Sequence, residues 1–362
     1  MLLGFGEIMM RVAPPGFLRF RQALPGRVDV TFAGGEANVC AAYSFLGGKA
    51  RYVTALPRNA IAESLVAALD ASRIDTRHIL FRDKGRLGIY FLETGANQRG
   101  SVVIYDRDGS AVALASPDEY DFNKALEGVG WVHVTGITPA LSENAFSATL
   151  ALVKLARSRS IPVSCDLNFR KKLWRWKEGK SPNELARECM SEVLPHVDVV
   201  IGNEEDASDV LGIRAEGTQV EAGKINARAY EAVAQTIVKR FPNVREVAIT
   251  LRESISASHN NWGGMLYDAK AGRGFFAPLD EKGEYRPYEI RDIVDRVGGG
   301  DSFAGALIFA LRSKDYSEPS AAIRFASAAS CLKHSVKGDW SFIGKDEVLA
   351  LMRGESSGRV RR

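Results

Sequence analysis

Short apolar runs alternate with amphipathic stretches along most of this chain, and that rhythm leaves few architectures open. Strand-like runs fall at 51–55, 131–135, 162–166, 198–201 and 246–250. Helical patterns lie beside them at 36–46, 61–71, 142–158, 183–194 and 227–240. Each helix returns the chain to the same end of the sheet, so successive strands pair in parallel and both faces are covered. The pattern predicts an α/β fold, with a mostly parallel central sheet flanked by helices. Two helices at 300–312 and 319–334 close it. The 362 residues, 46% of them hydrophobic, supply ample core for one large domain or two smaller ones.

Two regions break the rhythm. Residues 8–32 and 86–114 are rich in glycine, arginine and β-formers. Within the second, 86–92 and 101–105 read as a hairpin around 95–100. The two pieces fit either one small β-sheet standing off the main domain as a lid, or decorated surface loops. A lid has a use wherever water must be kept from a reaction.

Composition excludes several classes. A net charge of +4 on a chain of 362 residues calls for no nucleic-acid partner. The N-terminus has no basic leader and meets Glu7 early, so a signal peptide is not expected, and no apolar run is long enough to span a bilayer. Cys40, Cys165, Cys189 and Cys331 form no C-x-x-C pair and suit a reducing, cytoplasmic setting. Residues 351–362 read as a basic, solvated tail. Segments 221–228 and 268–288 read only as loops or strands.

The segment with the most chemistry is 295–306, where Gly298, Gly299 and Gly300 lead into an apolar helix. Consecutive glycines let backbone N–H groups turn toward one point. At a helix start those groups lack partners and carry partial positive charge, which suits phosphate oxygens. Asp301 follows in the first turn, where a carboxylate can take the proton of an attacking hydroxyl. Alternatively this is a glycine-rich turn with Asp301 as helix N-cap. A third reading makes Gly300-x-Ser302-x-Ala304 a near match to a hydrolase nucleophile elbow, with Asp315 and His334 completing a triad. There is no G-x-x-x-x-G-K-[ST] loop, no complete G-x-G-x-x-G and no H-E-x-x-H.

With that segment in hand, the chain resembles the ribokinase-like carbohydrate kinases of the phosphofructokinase-B type. Their C-terminal signature, D-[TR]-x-G-[AG]-G-D-[SA]-F, corresponds to 295–303, and their N-terminal glycine-pair signature corresponds to 33–41 followed by Leu46-Gly47-Gly48. The resemblance spans 1–350 and implies one kinase domain, with a lid formed by about 8–32 and 86–114. It implies ATP and Mg²⁺ as cofactors, Asp301 as base and Gly298, Gly299 and Gly300 as the anion hole. Gly34, Gly35 and Asn38 would line the sugar pocket. Asn203 and Asp206 fall on the family's Asn-x-x-Glu motif, which places metal and phosphate, with aspartate in place of glutamate and acting directly or through water; helix capping by Asn203 is the other reading. The usual glycine-rich turn over the nucleotide is absent, and Thr250, Arg252 and Asn168 would meet ATP instead.

Residues 166–174 are similar to the D-x-N-x-R-x-x-L-W stretch of 2-keto-3-deoxygluconate kinases. That likeness implies that Arg170 holds a substrate carboxylate, joined by Tyr105 and Arg107 of the lid and by Asp339. The expected reaction is ATP-dependent phosphorylation of the terminal hydroxyl of 2-keto-3-deoxygluconate, with a kinase of a neutral sugar such as fructose or ribose as the alternative and a non-kinase, the Ser302 hydrolase or a sugar-binding regulator, as the third. The implied partners are the sugar acid and ATP, with neither nucleic acid nor membrane. Open strand edges on a lid make lid-to-lid homodimerisation an expectation.

Overall fold

A computed structural model of the chain describes residues 1–213 and 227–355. The far end of the basic tail and most of 221–228 lie outside the described residues. The central sheet runs, from one edge to the other, Arg273–Ala277, His259–Asp268, Glu246–Ser256, Val199–Gly202, Val163–Asp166, Trp131–Thr135, Leu2–Phe5, Ala50–Val53 and Ile74–Asp75, with Tyr288–Ile290 also paired to His259–Asp268. From Glu246–Ser256 to Ile74–Asp75 every pairing is parallel, and beyond Glu246–Ser256 the pairings turn antiparallel.

Burial on both faces explains why these strands read as continuous apolar runs. Neighbouring residues on a strand point to opposite faces. Leu3 and Val200 therefore join the core on one side of the sheet, while Leu2, Val199 and Ile201 join the core on the other. Helices Glu143–Ser158 and Pro182–Val193 cover the first face; Gly35–Phe45, Gly299–Leu311 and Pro319–Lys333 cover the second.

The expected elements form, with informative differences. Leu2–Phe5, to which no strand was assigned from sequence, is an inner strand of the sheet. Glu246–Ser256 runs on past residue 250 as half of a long hairpin, because its polar end projects beyond the core. Part of 268–288 forms the edge strand Arg273–Ala277.

The two interruptions meet in a separate four-stranded sheet, ordered Asp29–Ala33, Met9–Ala13, Gly88–Glu93 and Val102–Asp106. A parallel pairing of Met9–Ala13 with Gly88–Glu93 joins the distant segments. One face of this sheet buries Met9, Tyr90 and Leu92, while Val30, Val102 and Ile104 are exposed. Among the described residues no helix is long and apolar enough to cross a membrane.

Candidate active site

Strands Val163–Asp166 and Val199–Gly202 end at a cleft of ≈ 610 Å³ whose far wall is the small sheet. Ligands of open α/β sheets gather at such carboxyl ends. Gly34, Gly35, Asn38, Tyr105, Arg107, Asn168, Arg170, Asn203, Asp206, Thr250, Arg252, Gly298, Gly299, Gly300, Asp301 and Asp339 all line it. Their partners sort them into different roles.

Helix Gly299–Leu311 starts at the centre of the cleft with Gly298 as its N-cap. Gly298 has φ +82°, and a Cβ there would lie 2.1 Å from the Asp339 carbonyl oxygen, so only glycine fits. The first helical hydrogen bond runs from Ser302 N–H to Gly298 O at 2.8 Å. The N–H groups of Gly299, Gly300 and Asp301 consequently have no acceptor within the helix. A Cβ at Gly300 would meet nothing within 4 Å, so that face of the turn is open.

Asp301 stands in the first turn and is not the N-cap. Asn38 donates from Nδ2 to Asp301 Oδ2 at 2.6 Å and accepts the Gly34 N–H at 3.2 Å. Asn38 thus ties the Gly34 backbone to the Asp301 carboxylate at the lining of the cleft. Burial pushes the Asp301 carboxyl up to about 7, against the Asn38 hydrogen bond that favours the ionised form. That value suits a group that exchanges a proton near neutrality.

Opposite lies a second set of carboxylates. Asp166 ends its strand and accepts the Asn168 N–H at 3.1 Å. Burial, then the charges of Asp206 and Asp301, raises the Asp166 pKa well above the usual carboxylate range. Asn168 has φ +35°, a left-handed conformation that asparagine tolerates. Asp206 accepts N–H groups from Phe169 at 2.9 Å and Asn203 at 3.1 Å, while Asn203 Oδ1 accepts the Asp206 N–H at 2.8 Å. This is a helix capping box. The pair staples two loop ends under the cleft, which makes Asp206 an anchor before anything else. Among the described residues no group of three or more His, Cys, Asp or Glu is placed to hold a metal by itself. Mg²⁺ that keeps several waters and rests on nucleotide phosphates needs no such cage, and Asp166, Glu205 and Asp206 all line the cleft.

The cations divide by partner. Arg107 is 5% exposed and pairs with buried Glu7, so its charge is matched inside the protein. Asp339 likewise has both oxygens engaged, one by Arg11 and one by the Tyr90 hydroxyl at 2.7 Å. Each therefore has a charged partner inside the protein as well as a place in the lining of the cleft. Arg170 differs: it donates to its neighbour's carbonyl, Phe169 O, at 3.0 Å and pairs with no carboxylate among the described residues. Its charge still helps hold the Asp301 and Asp166 pKa values down.

Arg252 and Arg296 also lack an acidic partner among the described residues. Burial, and then the charge of Arg252, lowers the Arg296 pKa, as happens where positive charges gather without an anion. Trp262 Nε1 and Arg296 Nε are buried without a hydrogen-bond partner beside them. Arg296, Trp262 and Tyr90 were missed from sequence. Arg296 lies inside the signature itself and was legible there, whereas Trp262 and Tyr90 reach the cleft only through strand register.

The hydrolase reading fails on geometry. Ser302 is 2% exposed, and its hydroxyl donates to Ser341 Oγ at 3.1 Å. His334 holds Ser330 O at 2.8 Å through Nδ1 and is neutral, its pKa pushed by burial down to about 4.

Comparison with known proteins agrees with this arrangement. Residues 2–247 match the model of the pfkB family of carbohydrate kinases. A 2-dehydro-3-deoxygalactonokinase of Haloferax volcanii is 29% identical over 357 residues, 99% of this chain and 98% of its own. The crystal structure of 2-dehydro-3-deoxygluconokinase from Thermotoga maritima superposes with a TM-score of 0.87 at 39% identity, covering 98% of this chain and 99% of that one. A ribokinase II from E. coli, solved with ATP and Mg²⁺, shares the fold with a TM-score of 0.74 at 19% identity, covering 98% and 99%.

Two outcomes follow from the geometry. Log kcat/KM should rise with pH below about 7 and level off above it, because Asp301 takes a proton only when ionised. Asn38→Ala should move that midpoint upward; a profile flat from pH ~5 to ~8 would remove Asp301 from the reaction. Arg296→Ala and Arg252→Ala should each weaken nucleotide binding roughly tenfold, read by calorimetry, because each removes a charge-assisted donor.

Proposed function

The chain belongs to the pfkB family of carbohydrate kinases, and from that premise we propose that it phosphorylates the terminal hydroxyl of 2-keto-3-deoxygluconate with ATP. The products are 2-keto-3-deoxy-6-phosphogluconate and ADP. The observation that carries the acidic substrate is Arg170, a guanidinium that pairs with no carboxylate among the described residues and lies close enough to Asp301 to influence its ionisation. A cation left without a partner at the edge of a cleft favours a ligand that brings its own carboxylate. Relatives named for the gluconate and galactonate keto acids support the same choice.

In this reading Arg170 and Tyr105 hold the acid with its far hydroxyl toward Asp301, and Gly34 and Gly35 shape the pocket floor. Asp301 accepts the hydroxyl proton as that oxygen attacks the γ-phosphorus. The Gly299 and Gly300 N–H groups, with Gly298 fixing their direction, take up charge on the transferring oxygens. Thr250, Arg252, Arg296 and Asn168 face the nucleotide phosphates. Asp206 and Asn203 would help hold Mg²⁺, which would supply further charge neutralisation. The small sheet excludes water, and its exposed Val30, Val102 and Ile104 suit a homodimer through the lid. A neutral sugar such as fructose or ribose is the second reading, and the observation in its favour is that Glu7 already neutralises Arg107.

The deciding assay is ADP release from Mg·ATP with 2-keto-3-deoxygluconate, its galactonate epimer, gluconate, fructose and ribose in parallel. We expect the keto acids to dominate, and Arg170→Ala to raise their KM roughly tenfold while sparing the KM for ATP. Turnover confined to fructose or ribose would overturn the acidic substrate and leave the kinase assignment standing.

A further inference from the structure

Below the phosphate loop lies a buried ionic cluster that the proposed chemistry does not use. Arg11, on the small-sheet strand Met9–Ala13, is 3% exposed. Its guanidinium forks onto two carboxylates, donating from Nη1 to Asp339 Oδ1 and from Nη2 to Asp295 Oδ2, each at 2.5 Å. Asp295 opens the glycine segment. Its Oδ1 accepts the Val297 N–H and its Oδ2 the Gly338 N–H, both at 3.1 Å. Asp339 presents its carbonyl oxygen to the Cα of Gly298, in the space a side chain would need. Lys333, fully buried, completes the cluster by donating to Val336 O at 3.1 Å and Asp295 O at 3.5 Å.

The cluster is reached from the cleft through the small sheet. Arg11 and Tyr90 are register partners, and so are Tyr90 and Tyr105. Directly opposed residues of paired strands share a face. Tyr105, Tyr90 and Arg11 therefore form one row across the sheet, with the two tyrosine rings 6.4 Å apart. The row begins at the wall of the cleft and ends on Asp339 and Asp295. Tyr90 adds its own hydroxyl to Asp339 at 2.7 Å. A planar fork with two carboxylates has one good geometry, which lysine cannot reproduce.

We propose that Arg11 is a positioning residue that locks the phosphate loop to the small sheet. The placement of that sheet over the acceptor then sets the direction of the Gly299 and Gly300 N–H groups. The tie itself is independent of the substrate; only its effect on turnover rests on the kinase reading above.

The test compares Tyr90→Phe and Arg11→Lys with the unaltered full-length protein. Tyr90→Phe removes one hydroxyl and keeps the ring, so it guards against simple failure of Arg11→Lys to fold. Hydrogen–deuterium exchange without ligand is read at residues 295–303, with 131–135 in the central sheet as reference. We expect exchange at 295–303 to accelerate roughly tenfold in each variant, while the reference stays within about twofold. We also expect kcat to fall with ADP affinity, read by calorimetry, retained within about twofold, since the loop acts on the transferring phosphoryl group. Unchanged exchange at 295–303 in both variants would overturn the proposal. Equal acceleration at both segments would also overturn it, because Arg11 would then serve only overall stability. Retained kcat with a loosened loop would overturn the positioning role. Should the unaltered protein phosphorylate none of the offered acceptors, the substrate reading fails, and the exchange result still decides the tie.

Discussion

Everything in the cleft is arranged around the unpaired N–H groups that begin helix Gly299–Leu311. A helix start buried without partners is unfavourable, so the surroundings must supply either a capping side chain or a ligand. Here Gly298 takes the cap position and brings no side chain to do it. Its left-handed backbone, pressed against the Asp339 carbonyl, turns the following N–H groups toward the cleft instead of toward protein. The same turn puts Asp301 beside those N–H groups. An acid held at about 7 beside oriented donors is a poor structural element and a good proton acceptor.

Charge pairing sorts the remaining polar residues better than proximity does. Arg107 with Glu7, and Arg11 with Asp295 and Asp339, are closed pairs deep in the protein. Removing one member of such a set leaves a buried charge without its counterion, so these residues hold position. Arg170, Arg252 and Arg296 have no such partner among the described residues, and they border the cleft. Arg252 is the register partner of Trp262 and lies near enough to Arg296 to affect its ionisation. The proposed acidic acceptor and nucleotide would both bring negative charge to these cations.

Much of this was legible in the sequence. The α/β order and the two interruptions could be read from periodicity, because strands buried on both faces must be apolar throughout. Gly298, Gly299, Gly300 and Asp301 could be read from local chemistry. What escaped was whatever depends on pairing between distant segments. Leu2–Phe5 is too short to announce itself as an inner strand. The partners of Arg107 and Asp339 are fixed by register between strands far apart in the chain. Glu7 beside Arg107, and Arg11 and Tyr90 beside Asp339, could not be read from local sequence. Asp206 was legible as a departure from glutamate. Its grip on the Phe169 N–H depends on the fold bringing two loops together.

The most direct test of this account is turnover by Asp301→Asn, measured with ADP binding on the same preparation. Asparagine keeps the size and the contact with Asn38 but cannot take a proton. If Asp301 is the base, kcat falls on the order of a hundredfold or more while ADP binds as before. Turnover close to that of the unaltered protein would contradict the account, because the proton would then leave by another route.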